Sequence, residues 1–178
     1  NLENAFSVFA ADLDSDGDDD IICITQKFGA GTNKLTWYEN LGSNTFGPRQ
    51  IISTDINTGS DVYAADLDND GDIDVLSSSY YDKKIAWYEN TGGAFGPQQI
   101  ISTNANLAAS VFAADLDNDG DMDVLSASFG DDKIAWYENT GGSFGTEQVI
   151  TTSMDGAYDV IAADLDNDGD LDVLSTAY

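Results

Sequence analysis

At 178 residues, with 42% hydrophobic and 11% aromatic content, the chain is long enough for one domain with a substantial core. Its formal net charge of −27 comes from 33 acidic against 6 basic residues, and with no basic stripe to neutralise phosphates this argues against nucleic acid as a partner. The acid is also too concentrated to signal disorder: six acidic residues fall in positions 12–20 and five in each of 66–74, 115–123 and 164–172.

No apolar run approaches 18 residues, and no charged and apolar leader pattern precedes the first motif. The chain opens on Asn rather than Met, and it reads as a processed or excised piece of something longer. Three signatures recur along it. The Asp motif begins at Asp12, Asp66, Asp115 and Asp164, "WYEN" begins at Trp37, Trp87 and Trp136, and Phe-Gly appears at Phe46, Phe95 and Phe144. Self-similarity at a period of about 49 residues is the mark of a repeat architecture. We place the units at about 1–54, 55–103, 104–152 and 153–178 of a single domain covering 1–178.

The first unit is longer than the others, with insertions between Asp20 and Trp37 and between Trp37 and Phe46, so loops are expected there. Its lone cysteine, Cys23, lies in the apolar run "IICIT" and is expected to be a small core residue. The second unit resolves into four strand signals: "DVYAA" at 61–65, "VLSSSY" at 75–80, "IAWYEN" at 85–90 and "QQIIST" at 98–103. The Asp loop, a polar "YDKK" and the glycine turn "TGGAFG" separate them. The third unit repeats this order, and the fourth reaches only its second strand, "VLSTAY" at 173–178. No segment carries a sustained helical period. Four strands per unit, with a first strand apolar on both faces, predict an all-β fold: a β-propeller-type array of four-stranded antiparallel blades, about three and a half in number. Because an open array leaves unpaired edges, three and a half blades imply missing sequence, self-association to close the ring, or an unusual open structure.

In the second Asp loop, Asp66, Asp68, Asp70 and Asp74 stand at loop positions 1, 3, 5 and 9, with Gly71 at position 6. Oxygens at alternate positions of a tightly turned loop converge on one point, which is what a hard cation such as calcium requires. Without a cation the carboxylates repel one another. An EF-hand shares the first six positions but needs Glu at position 12 and a following helix. Here position 12 is Cys23, Ser77, Ser126 or Ser175, and strand-like sequence follows. A solvated acidic turn holding no ion is the remaining alternative, and repetition at fixed spacing argues against it.

This Asp pattern after a "V-x-A-A" strand, together with "WYEN" and "FG", resembles the FG-GAP/VCBS calcium-loop repeat family, which includes the propeller repeats of integrin alpha-subunit heads. The resemblance covers essentially the whole chain. It implies side-chain ligands at loop positions 1, 3, 5 and 9 and a backbone carbonyl at position 7. The first site would then use Asp12, Asp14, Asp16 and Asp20 with the Asp18 carbonyl, and the second Asp66, Asp68, Asp70 and Asp74 with that of Asp72. The third would use Asp115, Asp117, Asp119 and Asp123 with Asp121, and the fourth Asp164, Asp166, Asp168 and Asp172 with Asp170. Up to four calcium ions are expected, and millimolar calcium places the protein outside the cytoplasm: secreted, periplasmic or cell-surface.

The repeats diverge most in the loops joining strands two and three and in the connections between units, at the end opposite the Asp loops. Diverging loops on a fixed frame are where specificity resides. Lys27, Phe28, Tyr80, Tyr81, Asp82, Phe129, Asp131 and Tyr158 are therefore the candidate ligand surface, with unconstrained surface loops as the plain alternative. Trp37, Trp87 and Trp136 suit sugar stacking, but their identical place within a strand argues for packing between blades. The chain contains no His, and its clustered carboxylates are assigned to metal, so a non-catalytic module recognising glycan or protein is the first functional expectation. An accessory or partial propeller of a polysaccharide-degrading enzyme and a purely structural assembly unit are the others.

Overall fold

The computed structural model describes residues 4–26 and 33–178. It is an all-β structure, and the described residues contain no α-helix. The first unit forms β1 (Asn4–Ala11), β2 (Asp20–Gln26), β3 (Lys34–Tyr38) and β4 (Gln50–Ser53), hydrogen-bonded in that order. The second forms β5 (Gly59–Ala65), β6 (Asp74–Ser79) and β7 (Lys84–Tyr88), then a short ribbon of β8 (Asn90–Thr91) and β9 (Ala94–Phe95), then β10 (Gln99–Ser102). The third repeats the plan with β11 (Ala108–Ala114), β12 (Asp123–Ser128), β13 (Lys133–Tyr137), the ribbon β14 (Asn139–Thr140) and β15 (Ser143–Phe144), and β16 (Gln148–Thr151). The fourth contributes β17 (Ala157–Ala163) and β18 (Asp172–Ala177), paired antiparallel. Each complete unit is thus one four-stranded antiparallel meander.

The "WYEN" segment is not one strand as the sequence suggested. It leaves the sheet after Tyr88 and Tyr137, and its Asn starts the small ribbon that ends in Phe-Gly. The longer loop of the first unit lies largely outside the described residues.

The sheets pack face to face, and the core is divided among their interfaces. Leu13, Ile22, Ile24, Leu35 and Trp37 of the first sheet meet Ile56, Val62, Ala64, Val75 and Tyr88 of the second. Leu67, Leu76, Ile85 and Trp87 meet Ala108, Val111, Val124 and Tyr137 in the same way. Burial of each such leucine or isoleucine contributes ~1.5–3 kcal/mol. The tryptophans belong to this packing: Trp37 meets Phe95 edge-on at 6.2 Å, and Trp87 meets Phe144 at 6.2 Å. The aromatic of one unit's third strand therefore locks onto the Phe-Gly of the next. Cys23 is buried, with Sγ 3.3 Å from Thr36 Oγ1.

One irregularity recurs in every unit. The pairing of the first strand with the second skips a residue between Ala5 and Ser7, Gly59 and Asp61, Ala108 and Ser110, and Ala157 and Asp159. The extra residues are Phe6, Ser60, Ala109 and Tyr158. Bulges of this kind bend a strand and re-aim its side chains.

Candidate metal centres

Each Asp loop runs from the end of a first strand to the start of a second, and its shape is set by two left-handed residues. Position 4 is Ser15, Asn69, Asn118 or Asn167, with φ from 61° to 62°, and position 6 is glycine with φ from 95° to 99°. No atom lies within 4 Å of where a Cβ would sit on these glycines, so the backbone angle rather than space is what requires them. Inside the turn the carboxylates accept backbone N–H groups. Asp12 Oδ2 accepts from Gly17 N at 3.0 Å and Asp66 Oδ2 from Gly71 N at 3.0 Å, while Asp70 Oδ1 accepts from Asp72 N at 2.9 Å.

The loops draw the predicted oxygens together. Carboxylate oxygens of Asp66, Asp68 and Asp70 lie within 4.8 Å of one another, as do those of Asp115, Asp117 and Asp119, and of Asp164, Asp166 and Asp168. In the first loop the grouped side chains are Asp12, Asp14 and Asp20. Asp14 Oδ1 and Asp66 Oδ1 are buried with no hydrogen-bond partner, the condition of an oxygen waiting for a ligand. An all-oxygen donor set with such orphans fits a hard divalent cation, calcium before any thiolate- or imidazole-seeking metal.

The position 9 aspartates are held differently. Asp74 is fully buried, with Oδ2 accepting from Leu67 N at 2.9 Å and Oδ1 from Asn90 N at 2.8 Å. Asp123 repeats this with Leu116 N at 3.1 Å and Asn139 N at 2.8 Å, and Asp20 with Leu13 N at 3.1 Å and Asn40 N at 2.7 Å. This residue thus ties the loop to the end of "WYEN". The position 7 side chains cap the glycine turns: Asp72 Oδ2 accepts from Gly92 N and Asp121 Oδ2 from Gly141 N, both at 2.9 Å. Neighbouring loops are also joined, since Asn69 donates to Asp121 and Asn118 donates to Asp170 at 3.1 Å. Ser15 has no amide to make the corresponding bond from the first loop.

Sequence reasoning missed the asparagine that ends "WYEN". Asn90 and Asn139 are fully buried. Asn139 Nδ2 donates to Leu67 O of the preceding loop at 2.7 Å and to Met122 O of its own at 2.9 Å, and its Oδ1 accepts from Gly142 N at 3.0 Å. Asn90 does the same with Leu13 O, Ile73 O and Gly93 N. Recurrence of "N" in all three "WYEN" segments was the available signal, but a recurring polar residue reads equally as surface.

Burial is the main force on Asp74, pushing its carboxyl up to about 7 against the backbone donors of Asn90 and Leu67, with Asp68 and Asp70 adding repulsion. Asp20, Asp68 and Asp123 are raised chiefly by burial as well. A carboxyl raised in the folded state binds protons that the unfolded chain, near ~3.9, has released. Its stabilising contribution is therefore present at low pH and lost as pH rises through the folded value. We expect the calcium-free protein to lose stability between about pH 4 and pH 7, and saturating calcium to remove that slope. Urea midpoints measured across this range with and without calcium test this, and a flat calcium-free profile would contradict it.

The candidate ligand surface is only partly assembled. Tyr80 and Tyr158 line one cavity. Tyr81 is exposed and meets Tyr80 edge-on at 5.3 Å. Asp82 and Asp131 are engaged by Lys84 at 3.0 Å and Lys133 at 3.1 Å, so these two carboxylates brace the frame. Phe129, in a single 3-10 turn, packs over Gly156. Lys27 and Phe28 lie outside the described residues.

A model of the FG-GAP-like repeat matches residues 12–77, 66–126 and 115–175. No curated protein matches the chain. Among solved structures the chain is similar to the crystal structure of the V. cholerae biofilm matrix protein Bap1, with a TM-score of 0.54 and 22% identity. The match covers 97% of this chain and 28% of that one, so the likeness is one of fold over a minor part of the larger protein.

Proposed function

Because the chain belongs to the FG-GAP-like repeat family, we propose that it is a calcium-stabilised, non-catalytic binding module of a secreted, periplasmic or cell-surface protein. The observation that carries this reading is the fourfold recurrence of one oxygen-lined loop, with carboxylate oxygens grouped within 4.8 Å in every copy. In this reading each four-stranded sheet is a propeller blade, and the ions fix the ends of the first and second strands of every blade. The ligands are those at loop positions 1, 3, 5 and 9 with the position 7 carbonyl. Calcium supplies charge neutralisation and a rigid loop; the protein's part is to pre-arrange the oxygens on glycine turns and buried aspartates.

A role in adhesion is supported by the fold's likeness to a biofilm matrix protein. The partner is a glycan or an extracellular protein, met at the end opposite the Asp loops. The outward faces of the first and last sheets belong to the same reading: Leu165 is 60% exposed, whereas its counterparts Leu13 and Leu67 are covered by the next sheet. Another repeat or a second copy of the chain covers that face.

Binding to a panel of immobilised glycans and extracellular proteins, with calcium and with chelator, tests the proposal. Calcium-dependent retention is expected. Release of oligosaccharide from a polysaccharide would overturn the non-catalytic reading, and absence of any binding would leave a structural assembly unit.

A further inference from the structure

The four bulges converge. Phe6, Ser60, Ala109 and Tyr158 are the extra residues of the four first strands, and together with the residues that follow them they line one cavity of about 360 Å³. The following residues are Ser7, Asp61, Ser110 and Asp159, which form a row of hydrogen bonds from strand to strand. Ser7 Oγ donates to Asp61 Oδ1 at 2.9 Å, and Ser110 Oγ lies 3.0 Å from both Asp61 Oδ2 and Asp159 Oδ1. Tyr80 and Thr176 complete the wall, at the end of the sheets opposite the Asp loops.

The row is short of protons. A serine hydroxyl has one hydrogen, so Ser110, only 4% exposed, satisfies one of its two carboxylate neighbours at a time. Val111 N and Val62 N also donate to Asp61, and Val160 N to Asp159, yet no basic side chain lines the cavity among the described residues. Beside the two carboxylates stand Phe6, Ala109 and the rings of Tyr80 and Tyr158. Such a wall suits a ligand with an apolar stem and a cationic head: the head supplies the donor that Ser110 cannot give to both carboxylates at once and a positive charge against their negative ones, and aromatic faces attract cations.

We propose that this bulge-lined cavity is a binding site for an alkylammonium group on an aliphatic stem, of the kind a lysine side chain of a partner protein presents. The site goes beyond the calcium-dependent binding reading, since it uses none of the Asp-loop residues and names its own ligand chemistry. Asp61 and Asp159 receive the ammonium, and the aromatic and alanine walls receive the stem. Burial also pushes the Asp61 carboxyl up despite its donors, the strain that a bound cation relieves. The acidic surface of the whole molecule draws such ligands toward it, more strongly at low salt.

The test is a titration of the calcium-loaded 178-residue protein with Nα-acetyl-lysine methylamide, followed by calorimetry and NMR, with the norleucine analogue as a neutral control and glucosamine as a cationic sugar. The lysine analogue is expected to saturate one site at least about tenfold more tightly than the norleucine analogue, a difference of ~1.4 kcal/mol. Asp61→Asn and Asp159→Asn are each expected to abolish that preference while the calcium-loaded melting temperature is kept. Asp159 is exposed, so its variant reads the site even where Asp61→Asn disturbs the fold. Equal binding of lysine and norleucine analogues, tighter binding of glucosamine, or no saturable binding would each overturn the proposal. None of these outcomes bears on whether the loops hold calcium, which the loading itself establishes separately.

Discussion

Stripping calcium with excess EDTA is expected to lower the unfolding temperature of this protein by about 10–20 °C. A ligand that binds only the folded state at 100 times its dissociation constant adds ~2.7 kcal/mol per site. Two such sites supply ~5 kcal/mol, and in a chain of this length each kcal/mol moves the midpoint by roughly 2–4 °C. The loss rivals the whole ~5–15 kcal/mol stability of an ordinary domain. It is large because the metal-free loops are unfavourable as they stand. Carboxylates of Asp66, Asp68 and Asp70 face one another, and Asp66 Oδ1 is buried without a hydrogen-bond partner. Calorimetric scans with calcium and with EDTA give the answer, and superimposable scans would remove calcium from the account of the fold.

The second large effect is expected at an uncharged residue. Asn139→Ala should destabilise the calcium-loaded protein by about 3 kcal/mol, because it strands the buried Leu67 carbonyl and the part-buried Met122 carbonyl and Gly142 amide at ~1–3 kcal/mol each, less whatever water recovers. The side chain lost is the one that ties Leu67 O, Met122 O and Gly142 N together across two units. Calcium affinity should fall at the second and third loops together, since Leu67 belongs to one and Met122 to the other. Asn118→Gly is the control, because glycine keeps the left-handed φ of 61° at that position. The lost amide makes one exposed contact with Asp170, and its removal should cost less than about 1 kcal/mol. Denaturation midpoints that placed Asn139→Ala beside the control would show that the asparagine is a passenger of the repeat.

A feature of this kind separates local from tertiary information. The repeat, its length, the strand after each Asp loop and the grouping of oxygens at loop positions 1, 3 and 5 were all legible in the chain. Alternating carboxylates with glycine at position 6 constrain one another over nine residues, and a strand's apolar pattern is likewise a matter of neighbours in sequence. The expectation that the tryptophans pack between repeat units was also sound for Trp37 and Trp87, because a residue repeated inside a strand has few places to go except the packed face. The first loop, which groups Asp20 where the other loops group the position 5 residue, was the local detail that sequence smoothed over.

What the sequence by itself determined is therefore the unit: four strand signals, one oxygen-lined turn, and the spacing that repeats them. The tertiary structure decided what lies between units. Asn90 reaches Leu13 across 77 positions, Ser110 stands between Asp61 and Asp159 at 49 positions either way, and Gly142 closes on Asp68 of the preceding loop. A periodic sequence offers equivalent residues at every repeat and cannot say which of them will face each other. That choice is made when sheets stack and a one-residue bulge in each first strand turns Ser7, Asp61, Ser110 and Asp159 into a single row. The extra residues are not glycine or proline that would announce them, since Phe6, Ser60, Ala109 and Tyr158 occupy these places, and only the register of each first strand against its second reveals them.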